Sequence, residues 1–247
     1  MNQELYELSN QESLCRQATE LILEAGQTAI KDRGFFTLVL TGGQTVQALY
    51  NYLVEHASEP DSQTIWAKTY FFLGDERWVP MDHPDSNGGM ARWLLIEPLA
   101  VRGDHVFLIR TDFDQPDQGA ADYAQTIRDF FKANESETIG IPSFDMVLLS
   151  MGSDGHVASL FAGTEALDEK EKLVTTSFPP RLTPAVDRVT ISLPVINNSR
   201  VVMMLISGAD RQAIAREIMA DSAEAGKQYP AGKVRPVGRQ IWLVADS

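Results

Sequence analysis

An open, doubly wound α/β fold is predicted for this 247-residue chain: Rossmann-like, with a largely parallel sheet and helices on both faces. Two observations predict it. Short strands of near-continuous apolar sequence recur, and most run through a glycine-bearing or acidic loop into an amphipathic helix. Strands that are apolar throughout, without alternation, are buried on both faces, as a parallel sheet flanked by helices requires. The composition agrees, since 44% hydrophobic residues over this length suffice for a sizeable core. No internal repeat or low-complexity tract interrupts the pattern. A single domain over residues 1–247 is expected, with the Pro-rich stretch 178–184 as the place where a small subdomain could branch.

Near the start, Leu14, Ala18, Leu21 and Ala25 fall on one helical face. Cys15, the lone cysteine, cannot form an internal disulfide and reads as half-buried filler of that helix in a reducing compartment. The apolar run from Phe35 to Leu40 (FFTLVL) is the first buried strand. The loop TGGQT follows, then a helix whose Val46, Leu49, Tyr50 and Leu53 keep the i, i+3, i+4, i+7 spacing. TYFFLGDERWV, from Thr69, ends a second strand on the charged loop residues Asp75, Glu76 and Arg77. Tyr123, Ile127, Phe130 and Phe131 mark a further helix. FDMVLLSMGSDGH, Phe144 to His156, ends a strand on a glycine-rich turn, and a helix is expected to start directly after it. DRVTISLP carries Arg188 into another strand. VVMMLISGADRQAIAREI, from Val201, passes through Gly208 into a helix bearing Ile214 and Ile218, and QIWLVAD is the terminal strand. DFDQPDQG and SFPPRLTPAVD read as loops, too short for domain linkers.

Charge limits the partners. A formal net charge of −13 repels polyanions, so neither nucleic acid nor an anionic membrane is expected. The polar, acidic opening MNQELYELSNQE does not resemble a signal peptide, and no apolar run approaches the roughly 18 residues of a membrane span. A cytoplasmic protein, monomer or dimer, is the expectation. A small phosphorylated metabolite remains compatible, because it needs only a few local donors.

In open α/β sheets ligands bind at the carboxyl ends of the strands, and four loops of this sequence open there. Gly42, Gly43, Gln44 and Thr45 combine bare backbone, hydroxyl donors and a helix start, which is either a phosphate cradle or a glycine-rich turn with a cap. Asp75 and Arg77 follow a strongly apolar strand. Arg77 suits a carboxylate or phosphate, and Asp75 suits sugar hydroxyls or a proton relay, while the bland reading is a solvated loop with an internal ion pair. His156 is surplus to the turn formed by Gly152, Ser153, Asp154 and Gly155. It is either a general base, its basicity lowered by the following helix N-terminus, or a satisfied structural histidine. His56, His83 and His105 read as surface or capping residues. Arg188 opens a strand and Arg211 occupies the first turn of a helix, where a cation opposes the helix dipole unless an anion lies near. No HExxH or paired Cys/His set supplies metal ligands, so neither a metal nor a cofactor is expected. A G-x-S-x-G elbow is also absent, which speaks against a serine triad.

Together these loops resemble the 6-phosphogluconolactonase family, relatives of the glucosamine-6-phosphate deaminases. TGGQT resembles the family's Ser-Gly-Gly-Ser-Thr loop, GDERWVP and the DSN at Asp85 to Asn87 its second segment, and MGSDGHVASLFAG its signature. RVTISLPVINNSR, SGADRQ and YPAGKVRPVGRQIWLVAD resemble its last third. The resemblance implies hydrolysis of 6-phosphoglucono-δ-lactone, a small phosphorylated sugar lactone. It also implies that His156 acts as base, with the phosphate held by the 42–45 loop, Arg188 and Arg211. Asp154 is the candidate partner of His156, and Arg77 a candidate to offset charge developing on oxygen. Gln44 stands where the family commonly has a small hydroxyl residue, and Arg211 where it commonly has Lys. The deaminases are similar to Asp-Gly-His-Ile-Ala-Phe-Asn-Glu at the signature, and their Glu assists sugar ring opening; here that place is Phe161. A deaminase and a non-catalytic phosphosugar-binding regulator are the alternative functions.

Overall fold

The computed structural model describes residues 2–58, 60–134, 140–179 and 185–246. Its ten strands, in chain order, are β1 (Asn2–Leu8), β2 (Phe36–Leu40), β3 (Thr69–Leu73), β4 (Asp75–Arg77) and β5 (Val106–Phe107), then β6 (Met146–Ser150), β7 (Val174–Ser177), β8 (Arg188–Ile191), β9 (Val201–Ser207) and β10 (Arg239–Ala245). Seven form one sheet in the order β1-β10-β9-β6-β2-β3-β5, with every pairing parallel. The order reverses between β2 and β6: β2 leads towards β3 and β5, and β6 leads the other way towards β9 and β10. The predicted doubly wound sheet is therefore present. All five residues of β2 are buried, as are all but the last of β9, which is the physical meaning of their near-continuous apolar sequence.

A second sheet was not anticipated. Gly74 carries the chain out of β3 and directly into β4, which pairs antiparallel with β8, and β8 pairs antiparallel with β7. The Asp75–Arg77 segment is thus a strand, and the solvated-loop reading fails: Asp75 and Glu76 are 4% and 1% exposed. Part of the Pro-rich stretch, residues 180–184, lies outside the described residues.

The helix Gln11–Arg33 starts on a capping box between Asn10 and Ser13 and stops at Gly34. Its inner face holds Leu14, Ala18 and Leu21. Cys15 is fully buried there, not half-buried, and burial pushes its thiol up to about 11, so it has no reactive thiolate. The helix Gln44–Glu55 buries all four residues of its predicted stripe. The helix Pro116–Asn134 begins inside the segment read as a loop, because proline is favoured in a first turn. Its Phe130 joins Phe35, Tyr70, Phe72 and Phe107 in a set of edge-on and tilted ring contacts. No helix among the described residues is long and apolar enough to cross a membrane.

The polar strand β1 was missed because it is an edge strand. Only one of its edges pairs, and it is fixed by Arg239, which donates to both Glu4 carboxylate oxygens at 2.9 and 3.0 Å. His105 departs from expectation too. It is buried, its Nδ1 is 3.2 Å from the Thr69 carbonyl, and it stacks on Tyr70. His56 caps its helix and His83 is exposed, as expected.

The amino edge of the sheet is held by one buried carboxylate. Asp145, just before β6, accepts from Arg33 at 2.5 Å and from the Thr37 amide and hydroxyl at 2.8 and 2.9 Å, with Arg200 at 3.3 Å. Asp145→Ala would leave these partners without their anion, so it should lower unfolding stability by about 3–5 kcal/mol in urea titration. Activity per folded molecule should be retained, because this edge is opposite the ligand crevice.

Candidate active site

The reversal between β2 and β6 opens a cleft of about 390 Å³ at the carboxyl ends of the strands. Gly43, Gln44 and Thr45 form one wall, and Ser150 and Met151 from the end of β6 form another. Gly208 and Arg211, after β9, close it. The helices Gln44–Glu55 and Ala209–Ala220 begin at Gly43 and Gly208, and neither has a side-chain N-cap. Their first-turn N–H groups are therefore left for a ligand, and together with the dipoles they favour an anion. Arg211 adds a full charge: it lines the cleft and is anchored by donating from Nη1 to the Ser207 carbonyl at 2.7 Å. The Ser150 hydroxyl fixes the loop by donating to the Gly42 carbonyl at 2.8 Å, and Tyr50 bonds the Thr41 backbone at both its N–H and its carbonyl.

From Met151 the chain turns directly to His156. The Gly155 amide donates to the Gly152 carbonyl at 3.0 Å, and the Gly152 amide to the His156 carbonyl at 3.0 Å. No helix starts at Val157. Instead Val157 forms isolated bridges with Met151 and Leu160, and the next helix is the short Glu165–Asp168. The expected influence of a helix dipole on His156 therefore falls away; a carboxylate partner replaces it. Asp154 Oδ1 lies 2.5 Å from His156 Nδ1. Nδ1 then carries the proton and Nε2 presents its lone pair. Burial raises the Asp154 carboxyl, but its hydrogen bond to His156 and the charge interaction outweigh this and hold it below the ordinary carboxylate value. The imidazole lies against Gly152, where an added Cβ would come within 2.2 Å of the ring, and its other neighbour is Phe161, with centroids 4.6 Å apart.

The second sheet adds the arginines. Arg77 on β4 and Arg188 on β8 are directly paired in register, an arrangement of like charges that is unfavourable without an anion. Arg77 donates from Nη1 to the Asp85 carbonyl at 2.7 Å, while Nε of both arginines is buried without a hydrogen-bond partner among the described residues. Burial, helped by Arg77 and opposed by Asp75, pushes Arg188 below the usual guanidinium value. Its guanidinium lies 5.6 Å from the Phe161 centroid, so Phe161 stands between Arg188 and His156.

The structure thus brings Gly43, Gln44, Thr45 and Arg211 together around the cleft, and sets His156, Asp154 and Arg188 beside it through Met151 and Phe161. Gly42 and Arg188 do not line the cleft itself. Asp75 is placed beneath the site, accepting from the Ser159 hydroxyl at 2.7 Å and from the Asn87 amide at 3.3 Å. It braces the loops and does not face a ligand. Sequence reasoning missed Glu76, Asn87 and Ser159. Glu76 points to the opposite face of β4 from Asp75 and Arg77, where Arg77 N, Asn87 N, Gly88 N and the Ser86 hydroxyl all donate to it at 2.7–2.8 Å. Burial pushes its carboxyl up against the pull of these four donors. Only the period-2 geometry of a strand would have separated Glu76 from its neighbours. Ala158 was also missed: its φ of +48° is strained for a residue with a Cβ, and no residue type signals it.

Residues 9–242 match the family model of glucosamine-6-phosphate isomerases/6-phosphogluconolactonase. The chain belongs to this family. It is 34% identical over 237 residues to a 6-phosphogluconolactonase of Nostoc sp., covering 96% of this chain and 93% of that one. A Bos taurus 6-phosphogluconolactonase is 32% identical, with 97% and 90% coverage. Among solved structures, the 6-phosphogluconolactonase of Thermotoga maritima superposes with a TM-score of 0.81 at 28% identity, covering 99% of this chain and all of that one. The Trypanosoma brucei 6-phosphogluconolactonase gives 0.80 at 28% identity, with 99% and 96% coverage.

Two outcomes follow from the geometry around His156. Gly152→Ala should displace the imidazole and reduce kcat about 10²-fold while circular dichroism stays unchanged. Asp154, held below its unfolded value, contributes stability above about pH 4 that is lost as pH falls through its folded value. It therefore stays ionised over about pH 5–8, and urea titration should show stability falling on the acid side of that range. In Asp154→Asn that acid-side loss should be smaller.

Proposed function

We propose that this chain hydrolyses 6-phosphogluconolactone to 6-phosphogluconate, with His156 as general base. The observation that carries the reading is the junction of two features: a histidine oriented by a carboxylate, and an anion cleft reached through Ser150 and Met151. The phosphate sits between the bare helix N-termini at Gly43 and Gly208, with Arg211 as its cation. This fixes the sugar and points its lactone carbonyl towards His156.

His156 Nε2 takes a proton from water as the water oxygen bonds to the carbonyl carbon. Negative charge grows on the carbonyl oxygen, where the guanidinium charges of the paired Arg77 and Arg188 offset it. The tetrahedral intermediate collapses, the ring C–O bond breaks, and the imidazolium returns its proton to the departing ring oxygen, leaving the free acid. Asp154 holds the tautomer throughout and stabilises the transient imidazolium. A lactone is a reactive ester, so positioning and a base worth roughly 10² to 10⁴ suffice without a covalent intermediate.

Phe161 separates this activity from the isomerase side of the family. Opening and isomerising an amino sugar needs a second proton-transfer group beside the histidine, and the ring at 4.6 Å cannot move a proton. Parallel assays decide the matter: 6-phosphogluconolactone should turn over and glucosamine 6-phosphate should release no ammonia. Ammonia release would reverse the assignment, and binding of both without turnover would favour a phosphosugar-responsive regulator. His156→Ala should lose about 10²–10⁴ in kcat, measured by lactone consumption against spontaneous hydrolysis. Arg211→Ala should chiefly raise KM for the phosphorylated lactone and leave that for an unphosphorylated one unchanged.

A further inference from the structure

We propose that Tyr229 and the turn after it form a clamp that sets the position of the peptide carrying His156, making Tyr229 a positioning residue for the base. The inference rests on the reading of His156 as the general base. Asp154 and Phe161 restrain the rotation of the imidazole, and Asp154 also accepts from the His156 amide at 3.2 Å, but neither holds the backbone just before it. That backbone is Gly155, whose φ of +77° belongs to the left-handed region open to glycine. A flexible residue in this conformation needs external restraint if the next side chain is to stay within a fraction of an ångström.

The restraint comes from far along the chain. The Tyr229 ring fills the place where a Gly155 side chain would stand: a Cβ there would lie 2.6 Å from Tyr229 Cδ1 and 2.7 Å from its Cβ. The Ala231 amide donates to the Gly155 carbonyl at 2.9 Å. One contact thus fixes the Cα of Gly155, and the other fixes the plane of the peptide joining it to His156. The clamp is itself anchored. Tyr229 N donates to the Ala225 carbonyl at 2.7 Å, at the end of the helix Ser222–Gln228, and the Tyr229 carbonyl accepts from Gly232 at 2.9 Å. The Tyr229 hydroxyl faces away from these contacts, accepting from Gln228 Nε2 at 2.9 Å. Tyr229 does not line the phosphate cleft, so its effect should fall on the chemical step and not on substrate binding.

The test compares Tyr229→Ala, Tyr229→Leu and Tyr229→Phe with His156→Ala in one lactonase assay, with folding followed by circular dichroism. Tyr229→Phe keeps the ring and loses only the bond to Gln228, so its kcat should stay within about twofold of wild type. Tyr229→Ala should lower kcat about 10- to 100-fold, the scale of a misplaced catalytic group, with KM within about twofold. Tyr229→Leu, which keeps much of the volume, should fall between them and is read alone if Tyr229→Ala does not fold. Wild-type kcat in Tyr229→Ala or Tyr229→Leu, with His156→Ala inactive, overturns the clamp and leaves the base intact. If His156→Ala itself keeps wild-type turnover, the reading of the base fails instead. A third measurement needs no variant: hydrogen exchange of the Ala231 amide in the wild-type chain. It should be as slow as that of the β9 and β10 amides, and rapid exchange would also overturn the clamp.

Discussion

The reversal of strand order between β2 and β6 is the constraint on which the rest of the site depends. Two adjacent parallel strands send their connections in opposite directions across the sheet, so their carboxyl ends are left uncovered. Everything that could hold a phosphosugar is then supplied by the loops around that gap. The helices after β2 and β9 start at glycines without side-chain caps, and their free amides converge on it. A capped start, such as that of Gln11–Arg33 with its Asn10 and Ser13 box, would have used those donors internally.

The same region accumulates features that are unfavourable for stability taken alone. Two arginines face each other across β4 and β8, their Nε groups are buried without partners among the described residues, and Ala158 holds a left-handed backbone. An unmet buried donor costs about 1–3 kcal/mol. The compensation lies at the other edge of the sheet, where Asp145 gathers Arg33, Arg200 and Thr37 over strands buried on both faces.

The small antiparallel sheet joins segments that the sequence holds far apart. Because Gly74 is the sole residue between β3 and β4, the arginine of β4 is delivered at a fixed distance from the main sheet, and β8 brings Arg188 alongside. Asp75 ties this sheet to the histidine loop through Ser159, and Glu76 ties it to the segment Ser86–Gly88. His156, the arginines and the cleft therefore belong to one hydrogen-bonded assembly, although its segments run from Gly42 to Arg211 in sequence.

The sequence by itself determined the parallel sheet and the ligand edge. Near-continuous apolar runs such as Phe36–Leu40 and Val201–Ile206 fit burial on both faces, and the turn at Gly152–Gly155 fits a strand end. It also made His156, the 42–45 loop and Arg211 legible as candidates, because glycines and lone titratable groups at strand ends are local signals. Tertiary structure decided the rest. β1 pairs only because β10 offers its edge, β4 is a strand only because β8 lies opposite, and the His156 loop continues without a helix because Val157 bridges to Met151 and Leu160. Likewise Asp75 supports from beneath and Arg188 stands behind Phe161, since burial and pairing depend on partners far along the chain. Periodicity and turn chemistry are properties of neighbouring residues, whereas burial, register and the choice of hydrogen-bond partner exist only once distant segments meet.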